Sequence, residues 1–473
     1  MGWQDSSSRK MVWKSINEEN LNKRKVFIPD APKQLMQVLL DAGYEAYVVG
    51  GCVRDFLLGQ EPHDWDICTN ALPDQMKECF ANYRVIETGL QHGTLTVMVD
   101  HVGYEITTYR IDGEYTDHRH PDSVQFVGRL QEDLMRRDFT VNAMAADISG
   151  KIRDFYDGQF DLEHKWIRCV GDPDKRFTED PLRIFRAMRF ESKLGFAIEE
   201  KTEDSMRRHR YLLQHISAER INTELTGILM GDCYSTLACF PDILSVCIPE
   251  IKQCIGFQQN NPHHNRNVWD HTLFAVSVAP KDIYTRLALL YHDIGKPLCY
   301  SEDSGVGHFY GHAAVSRDIA EKSLRNLRFD NQTIKLVTQL VEAHDRTIEP
   351  RKPVIRRCLN KMGMDQFLRL LDVKEADYAA QAQIYGDRLH KAEILQMTDE
   401  IIAAQIQQKD CFTLKNLAVN GNDLIALGIP TGKTIGQILN QLLEMVMEGT
   451  IENNQSELLL WVKDQMREKE NEV

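Results

Sequence analysis

The sequence has no apolar run approaching the roughly 18 residues a membrane-crossing helix needs, and its opening MGWQDSSSRK lacks the apolar core of a secretory signal. Membrane insertion and export are not expected. It also has no CxxC pair. Eleven cysteines, an odd number, are scattered singly, which fits reduced thiols in a cytoplasmic protein better than a disulfide or zinc framework. Cys52, Cys68 and Cys169 read as small core residues. Positive charge is short: 56 Lys and Arg face 70 Asp and Glu, a formal net charge of -14. Taken alone, that deficit argues against nucleic-acid binding, because neutralising phosphates requires Lys and Arg.

What is present is ordinary globular composition, 42% hydrophobic and 27% charged over 473 residues, enough for about three or four domains. Residues 1–25 read as a loose polar arm. Lys33 to Leu40 has helical spacing with Asp30 as its cap, and Tyr47-Val48-Val49 is a short strand ending at Gly50-Gly51. Thr94 to Val99 and Tyr104 to Tyr109 read as a hairpin joined by Asp100-His101-Val102-Gly103. After about residue 150 strand signals fade. Pro181 to Leu194, Ile216 to Met230, Leu287 to Tyr291 and Thr333 to Ala343 all carry helical periodicity. The segment Gln253 to Arg266, rich in Asn, Gln and His, reads as a linker.

The first chemical constellation starts at Val49-Gly50-Gly51-Cys52-Val53-Arg54-Asp55, a strand running through two glycines into a helix, a turn whose N–H groups suit phosphate. It is followed by His63-Asp64-Trp65-Asp66-Ile67, where Asp64 and Asp66, two apart, share a strand face. Paired carboxylates there call for a divalent cation, and oxygen ligands beside a phosphate substrate point to Mg2+. Glu105, on the hairpin face opposite to Ile106, supplies a third acid. In Thr178-Glu179-Asp180-Pro181-Leu182-Arg183, Thr178 reads as an N-cap and Asp180 and Arg183 lie three apart on one helical face. A carboxylate accepts from an exocyclic amino group and a guanidinium donates to a ring nitrogen or carbonyl. Cytosine and adenine both match that pair, whereas guanine and uracil reverse the pattern.

These segments, GGCVRDFLLG with HDWDICT, then RRDFTVNA, Asp157-Gly158 with Asp161-Leu162, TEDPLR, and Glu219-Arg220-Ile221 with Glu224-Leu225, occur in the order of the class II tRNA nucleotidyltransferase and poly(A) polymerase family, which the chain resembles over residues 47 to about 230. The resemblance implies an α+β fold: a polymerase β-like mixed-sheet head at 26–149 and an all-helical neck at 150–260. It implies that Asp64, Asp66 and Glu105 are catalytic, with Mg2+ on Asp64 and Asp66. It also implies nucleotide contacts from Gly50, Gly51, Arg54, Asp55, Arg137, Asp138, Asn142, Asp180, Arg183 and Arg186. The polar loop from Arg110 to Pro121, with Asp112, Tyr115, Asp117 and Arg119, resembles the loop with which the family switches from CTP to ATP, and favours full CCA or A addition.

The second constellation is histidine-rich. His271, the adjacent His292-Asp293 in LYHDIGK, and Asp377 follow the order of the HD phosphohydrolase superfamily, which region 261–390 resembles, with His312 and His344 where some members hold a second metal. Imidazoles with carboxylates suit a hydrolytic divalent metal of unspecified identity. In the nucleotidyltransferase family such a domain implies hydrolysis of damaged RNA 3′ ends. Residues 391–473 read as a helical tail contacting tRNA. Gly428 to Thr434 has three residues between its glycines where a P-loop needs four, and no strand precedes it, so ATPase chemistry there is rejected. Arg207-Arg208-His209-Arg210 and the cluster Arg351, Lys352, Arg356, Arg357 and Lys361 are candidate RNA contacts.

The expected protein is a cytoplasmic tRNA nucleotidyltransferase adding CCA from CTP and ATP, with tRNA as partner, no membrane, and the oligomeric state open. The alternatives are an A-adding enzyme, a poly(A) polymerase, or an HD hydrolase with an RNA-binding head.

Overall fold

The computed structural model describes residues 25–87, 89–113, 124–382, 390–406 and 411–471. The expected N-terminal arm, apart from Lys25, and Tyr115, Asp117, Arg119 and Pro121 of the expected switching loop fall outside the described residues. The chain divides into two compact units, with the break between Pro249 and Glu250.

The first unit is built on a mixed sheet. Its strands are β1 (Ala46–Val49), β2 (Ile67–Thr69), β3 (Arg84–Ile86), β4 (Thr94–Val99) and β5 (Val102–Thr108), with β6 (Arg110–Asp112) and β7 (Val124–Phe126) forming a separate ribbon, followed by β8 (Met144–Ala146) and β9 (Ile152–Asp154). The seven-stranded sheet runs β3-β4-β5-β2-β1-β8-β9, and only β2 and β5 are parallel in it. Short β-branched and aromatic runs form these strands because their side chains fit a pleated, half-buried surface. Val49, Cys68, Tyr109, Leu130, Leu134, Ala143, Ala145 and Val170 pack into one core under it. Cys52, Cys68 and Cys169 are buried in this unit, as their composition context predicts.

Several local readings shift. The first helix is Asp30–Asp41 and its cap position is Pro29, so Asp30 sits inside the first turn, where a carboxylate favours the helix dipole. The hairpin turn is two residues, not four: Asp100 and His101 both take positive φ, the geometry a tight antiparallel turn demands. The polar segment after Tyr109 is anchored at its base, since β6 pairs with β7.

Past β9 the first unit is mainly helical. Observed helices at Leu182–Leu194 and Ala218–Leu229 match the periodic segments closely. A two-residue parallel bridge, Trp166–Ile167 with Ala197–Ile198, escapes sequence reasoning because it is too short to show a period.

The second unit packs the helices Val268–Val278, Ile283–Tyr291, His312–Asn326, Asn331–Ala343 and Met364–Ala380 around buried Leu287, Leu290, Val337 and Leu371. A small hairpin, Ser301–Asp303 with Val306–His308, interrupts them. Its Ser304-Gly305 turn has positive φ at both residues, a signal present in the sequence. The segment expected to be a linker is irregular but packed. Gln259 is buried, and Gly307 passes so close that a Cβ there would strike the Gln259 carbonyl.

Gly150 offers a direct check on the first unit. Its φ is +80°, and a Cβ would drive into the backbone of Val26, whose N–H donates to the Gly150 carbonyl at 2.8 Å. Gly150→Ala is expected to destabilise the first unit by about 1–3 kcal/mol, seen as a lowered midpoint in thermal melting. An unchanged midpoint would contradict the contact.

Candidate active site

Two clusters of chemistry-bearing residues emerge, one in each unit. In the first, Asp64 and Asp66 lie in the extended segment just before β2, not within the strand. They keep the alternation that the sequence suggests, exposed on either side of buried Trp65. The Asp66 carbonyl accepts from the Val49 N–H at 2.9 Å, so this segment is fixed to the end of β1. The parallel register Ile67↔Ile106 sets Asp66 beside Glu105 on the neighbouring strand. Surrounding protein pushes the Asp66 carboxyl up from its usual range, Arg137 opposes the shift, and Glu105 and Asp64 reinforce it. Glu105 and Asp64 thus each repel the Asp66 carboxylate, and carboxylate oxygens are the donors a hard divalent cation takes.

Gly50, with φ +83°, caps the helix Gly51–Leu57, and a Cβ on it would sit 2.9 Å from Arg137 Nη1. Only glycine lets that guanidinium approach the turn. Arg54 donates from Nε to Asp55 Oδ1 at 2.8 Å and from Nη1 to Asn142 Oδ1 at 2.5 Å. Asn142 Nδ2 in turn donates to Asp138 Oδ1 at 3.3 Å. Asp138 Oδ2 accepts from Arg186 Nε and Nη2 at 2.8 and 2.6 Å. Burial raises the Asp138 carboxyl, but the Arg186 guanidinium outweighs it and brings the pKa down to about 2. Gly51, Arg54, Asp55, Asp138, Asn142 and Arg186 therefore form one connected region.

Phe190 and Glu224 extend this network. The Phe190 ring has the guanidiniums of Arg54, Arg186 and Arg189 at 5.2, 5.7 and 4.9 Å from its centroid. Buried Glu224 accepts from Arg189 Nε at 2.5 Å and faces Arg186 Nη1 at 3.9 Å. Phe190 carries no motif signal. Glu224 falls within the fifth resembling segment, but its arginine partners are distant in sequence.

Asp180 and Arg183 do not share one helix. Asp180 terminates the helix Pro173–Glu179, and Pro181 opens the helix Leu182–Leu194. Thr178 is no cap: its hydroxyl donates to the carbonyls of Asp174 and Lys175 inside the preceding helix. Asp180 instead accepts the Leu182 N–H at 3.1 Å, and its other oxygen pairs with Arg220 at 2.7 Å. Arg183 is held by Glu179 Oε2 at 2.9 Å and by the Arg176 and Arg136 carbonyls, both at 3.1 Å. The two side chains are oriented by separate partners and not by each other. Arg220 lies in the fifth resembling segment; its role was missed because only the fold brings it to Asp180.

In the second unit, four imidazoles converge on one carboxylate. His271 Nε2 and His292 Nε2 lie 3.5 and 3.3 Å from Asp293 Oδ2, while His312 Nε2 and His344 Nε2 lie 3.4 and 3.8 Å from Asp293 Oδ1. Asp377 Oδ1 is 2.9 Å from His271 and 3.7 Å from His292. Each ring's Nδ1 faces a main-chain carbonyl: Ala380 at 3.3 Å, Leu289 at 2.7 Å, Phe309 at 2.9 Å and Val341 at 2.6 Å, in order. A carbonyl can only accept, so each ring carries a proton on Nδ1 and turns its Nε2 inward, the arrangement of metal-binding histidines. Burial opposes ionisation of Asp293, yet His292 and Lys296 hold its carboxyl well below the usual range. His271, His292 and Asp293 form one triad of ligand distance, and Asp293, His312 and His344 a second. A charged carboxylate shared by two sets of nitrogen donors fits two divalent cations.

Lys296, also missed, sits 2.7 Å from Asp293 Oδ2 and 2.9 Å from Gln259 Oε1. Buried Lys374 donates to the His344 carbonyl at 2.6 Å.

The basic clusters are largely paired. Arg207 and Arg210 reach Asp242, and Arg208 and His209 reach Asp174. Arg351 pairs with Glu349, Lys352 with Glu400, and Arg357 with Glu444 and Glu448.

A sheet head carrying acids beside a glycine turn, followed by helices that present an Asp and an Arg, is the arrangement of a nucleotidyltransferase. Residues 46–168 match the poly(A) polymerase head domain, 195–252 the probable RNA- and SrmB-binding site of polymerase A, and 308–462 the tRNA nucleotidyltransferase domain 2 family. The CCA-adding enzyme of Lactobacillus helveticus is 34% identical over 447 residues, 93% of this chain and 97% of that protein. That of Levilactobacillus brevis is 34% identical over 434 residues, covering 91% and 97%. The Bacillus stearothermophilus CCA-adding enzyme, solved in complex with CTP, superposes with a TM-score of 0.68 at 28% identity, over 94% of this chain and 100% of that one. The chain belongs to the CCA-adding enzyme family.

The Asp138 pair sets a pH dependence. Its folded pKa of about 2 lies below the ordinary 3.8, so the stabilisation is complete above about pH 5 and is lost as pH falls through 2. The shift corresponds to about 2 kcal/mol. Asp138→Asn is expected to be less stable at pH 7 and to lose this part of the acid sensitivity, read from urea unfolding across a pH series. An unaltered pH profile would contradict it.

Proposed function

We propose that the chain extends tRNA 3′ ends with C, C and A from CTP and ATP, without a nucleic-acid template. Asp64, Asp66 and Glu105 are its catalytic acids, and Asp64 and Asp66 hold Mg2+. The bound Mg2+ would lower charge at the α-phosphate and favour the attacking 3′ hydroxyl. Gly50, Gly51, Arg54 and Asp55 hold the triphosphate, with Arg137, Asp138, Asn142 and Arg186 around the nucleotide. Asp180 accepts the exocyclic amino group of cytosine or adenine, and Arg183 donates to the adjoining ring acceptor. GTP and UTP leave those groups unpaired and are rejected. The observation that carries this reading is the independent anchoring of Asp180 by Arg220 and of Arg183 by Glu179. Neither is paired with the other; Asp180 pairs with Arg220 and Arg183 with Glu179, and these separate partners fix the direction of each side chain.

Residues 26–149 act as the catalytic head, 150–260 as a base-reading neck, 261–390 as a metal-binding HD domain and 391–473 as a tail contacting tRNA. The protein acts in the cytoplasm. All eleven cysteines are free, and among the described residues no helix is long and apolar enough to cross a membrane.

With tRNA lacking CCA, labelled CTP and ATP are expected to be added as two C and one A. Incorporation of ATP alone onto CC ends, or long A tracts, would overturn the reading. Asp180→Ala should lower discrimination against UTP and GTP at least about tenfold, measured by kcat/KM for each nucleotide.

A second reading is favoured by the four carbonyl-anchored histidines. The cluster around Asp293 holds two divalent metals and hydrolyses phosphate esters at RNA 3′ ends, restoring the hydroxyl that nucleotide addition needs. Metal there would supply hydroxide at neutral pH. The purified chain should hydrolyse a 2′,3′-cyclic nucleotide, and chelator or Asp293→Ala should abolish this. Metal analysis should show Asp293→Ala binding neither ion and His344→Ala about one fewer than the unmodified chain. Hydrolysis indifferent to both chelator and Asp293→Ala would reject the reading.

A further inference from the structure

The metal-type cluster lies beside the aromatic pair His308 and Tyr310. Tyr310 is 79% exposed, although it stands two residues before His312, whose ring is almost wholly buried. His308 stacks on one face of Tyr310 in an offset arrangement, with ring centroids 5.3 Å apart and planes only 7° from parallel, and the Tyr310 hydroxyl lies 3.4 Å from His308 Nδ1. With one face stacked and most of the ring still open to water, the other face is available to a planar ligand.

The backbone ties this pair to the cluster. Between Tyr310 and His308 lies Phe309, whose carbonyl receives His312 Nδ1 at 2.9 Å and whose ring lies 5.3 Å from Lys296 Nζ. Phe309 thus backs both a histidine of the cluster and the buried ammonium, and Tyr310 is the next residue outward. Tyr310 and His312 are at most about 7 Å apart along the chain.

A second exposed apolar residue flanks the same place. Leu298, 63% exposed, lies two residues after Lys296. The turn carrying it packs on the first turn of the helix His312–Asn326: Gly295 N–H donates to Ser316 Oγ at 2.9 Å, and a Cβ on Gly295 would lie 3.0 Å from the His312 carbonyl. Apolar side chains exposed singly are ordinary. Here both stand two residues from a member of the buried cluster, Leu298 from Lys296 and Tyr310 from His312, and Tyr310 is pre-stacked.

We propose that Tyr310, backed by His308, is a stacking platform that selects substrates with a nucleobase at the second unit's hydrolytic site. This rests on the hydrolase reading of the Asp293 cluster. The substrate class is a nucleoside phosphate ester, either a free nucleotide or an RNA 3′ terminus, with phosphate at the cluster and its own base on Tyr310. For a 2′,3′-cyclic phosphate, water adds across one ring P–O bond. Its oxygen joins phosphorus, the bond to one ribose oxygen breaks, that oxygen takes the proton, and a phosphomonoester remains. Stacking of a base on an aromatic ring contributes roughly 1–3 kcal/mol, enough for about a tenfold preference or more.

The test uses the full chain supplied with Mn2+ or Mg2+ and three substrates. These are adenosine 2′,3′-cyclic phosphate, a short RNA ending in a 2′,3′-cyclic phosphate, and ethylene phosphate, the same five-membered cyclic diester without a base. The ratio of kcat/KM for each nucleotide substrate to that for ethylene phosphate should fall about tenfold in Tyr310→Ala and be kept in Tyr310→Phe. A fall for the RNA alone identifies the RNA terminus as the ligand, and a fall for both includes the free nucleotide. A ratio unchanged in Tyr310→Ala overturns the platform while leaving the hydrolase intact. No turnover of any substrate overturns the hydrolase reading and the platform with it.

Binding without turnover gives a separate readout. In the chelator-treated chain carrying 3-fluorotyrosine, the Tyr310 19F resonance, assigned by its loss in Tyr310→Phe, should shift with adenosine 3′-monophosphate and not with inorganic phosphate. An equal response to both, or to neither, would overturn the proposal.

Discussion

Arg186 donates two hydrogen bonds to the buried Asp138 carboxylate, and the polar side chains beside the glycine turn are linked to that pair. A carboxylate enclosed by protein is tolerated only when its charge and lone pairs are met. Here the other oxygen takes the Phe139 N–H and the Asn142 amide. Asn142 then holds Arg54, and Arg54 holds Asp55 at the glycine turn. The end of the sheet and the helix Leu182–Leu194 are thereby linked by one chain of charge-assisted bonds. Phe190 adds a ring against which three guanidiniums rest. The spacing between groups proposed to grip a triphosphate and groups proposed to read a base follows from this network.

The second unit solves a different electrostatic problem. Four imidazoles and two carboxylates meet in the interior, where unpaired charge is expensive. Main-chain carbonyls orient the rings, and Lys296 offsets part of the negative charge on Asp293. The five helices Val268–Val278, Ile283–Tyr291, His312–Asn326, Asn331–Ala343 and Met364–Ala380 bring one or two donors each, within them or just past their ends, so the cluster depends on their packing as a set. Among the described residues of this unit, the most exposed aromatic side chain is Tyr310.

The net charge of -14 has less bearing on nucleic-acid partners than its size suggests. Several acids sit in the two clusters, and others, such as Asp174, Asp242 and Glu444, pair with arginines of the basic runs. Surface pairs of this kind contribute little to stability and are screened by salt. A compact RNA meets a local surface, not the average of the chain.

The sequence by itself determined the class of the first unit, the order of its motifs, and the identity of nearly every residue in both clusters. Those signals are local: glycines beside a strand, acids two apart, an adjacent His-Asp, and 3.6-residue periodicity. It also placed Asp64 and Asp66 on one strand face; they are exposed on either side of buried Trp65, just outside the strand. Only the tertiary structure decided that Asp180 and Arg183 straddle a helix break, since the partners that hold them, Arg220 and the Arg136 carbonyl, lie 40 and 47 residues away. It likewise decided the sharing of Asp293 by two histidine pairs and the placement of Lys296, Glu224 and Phe190. Such contacts are made between elements distant in the chain, where side-chain direction and packing, not spacing, set which groups meet.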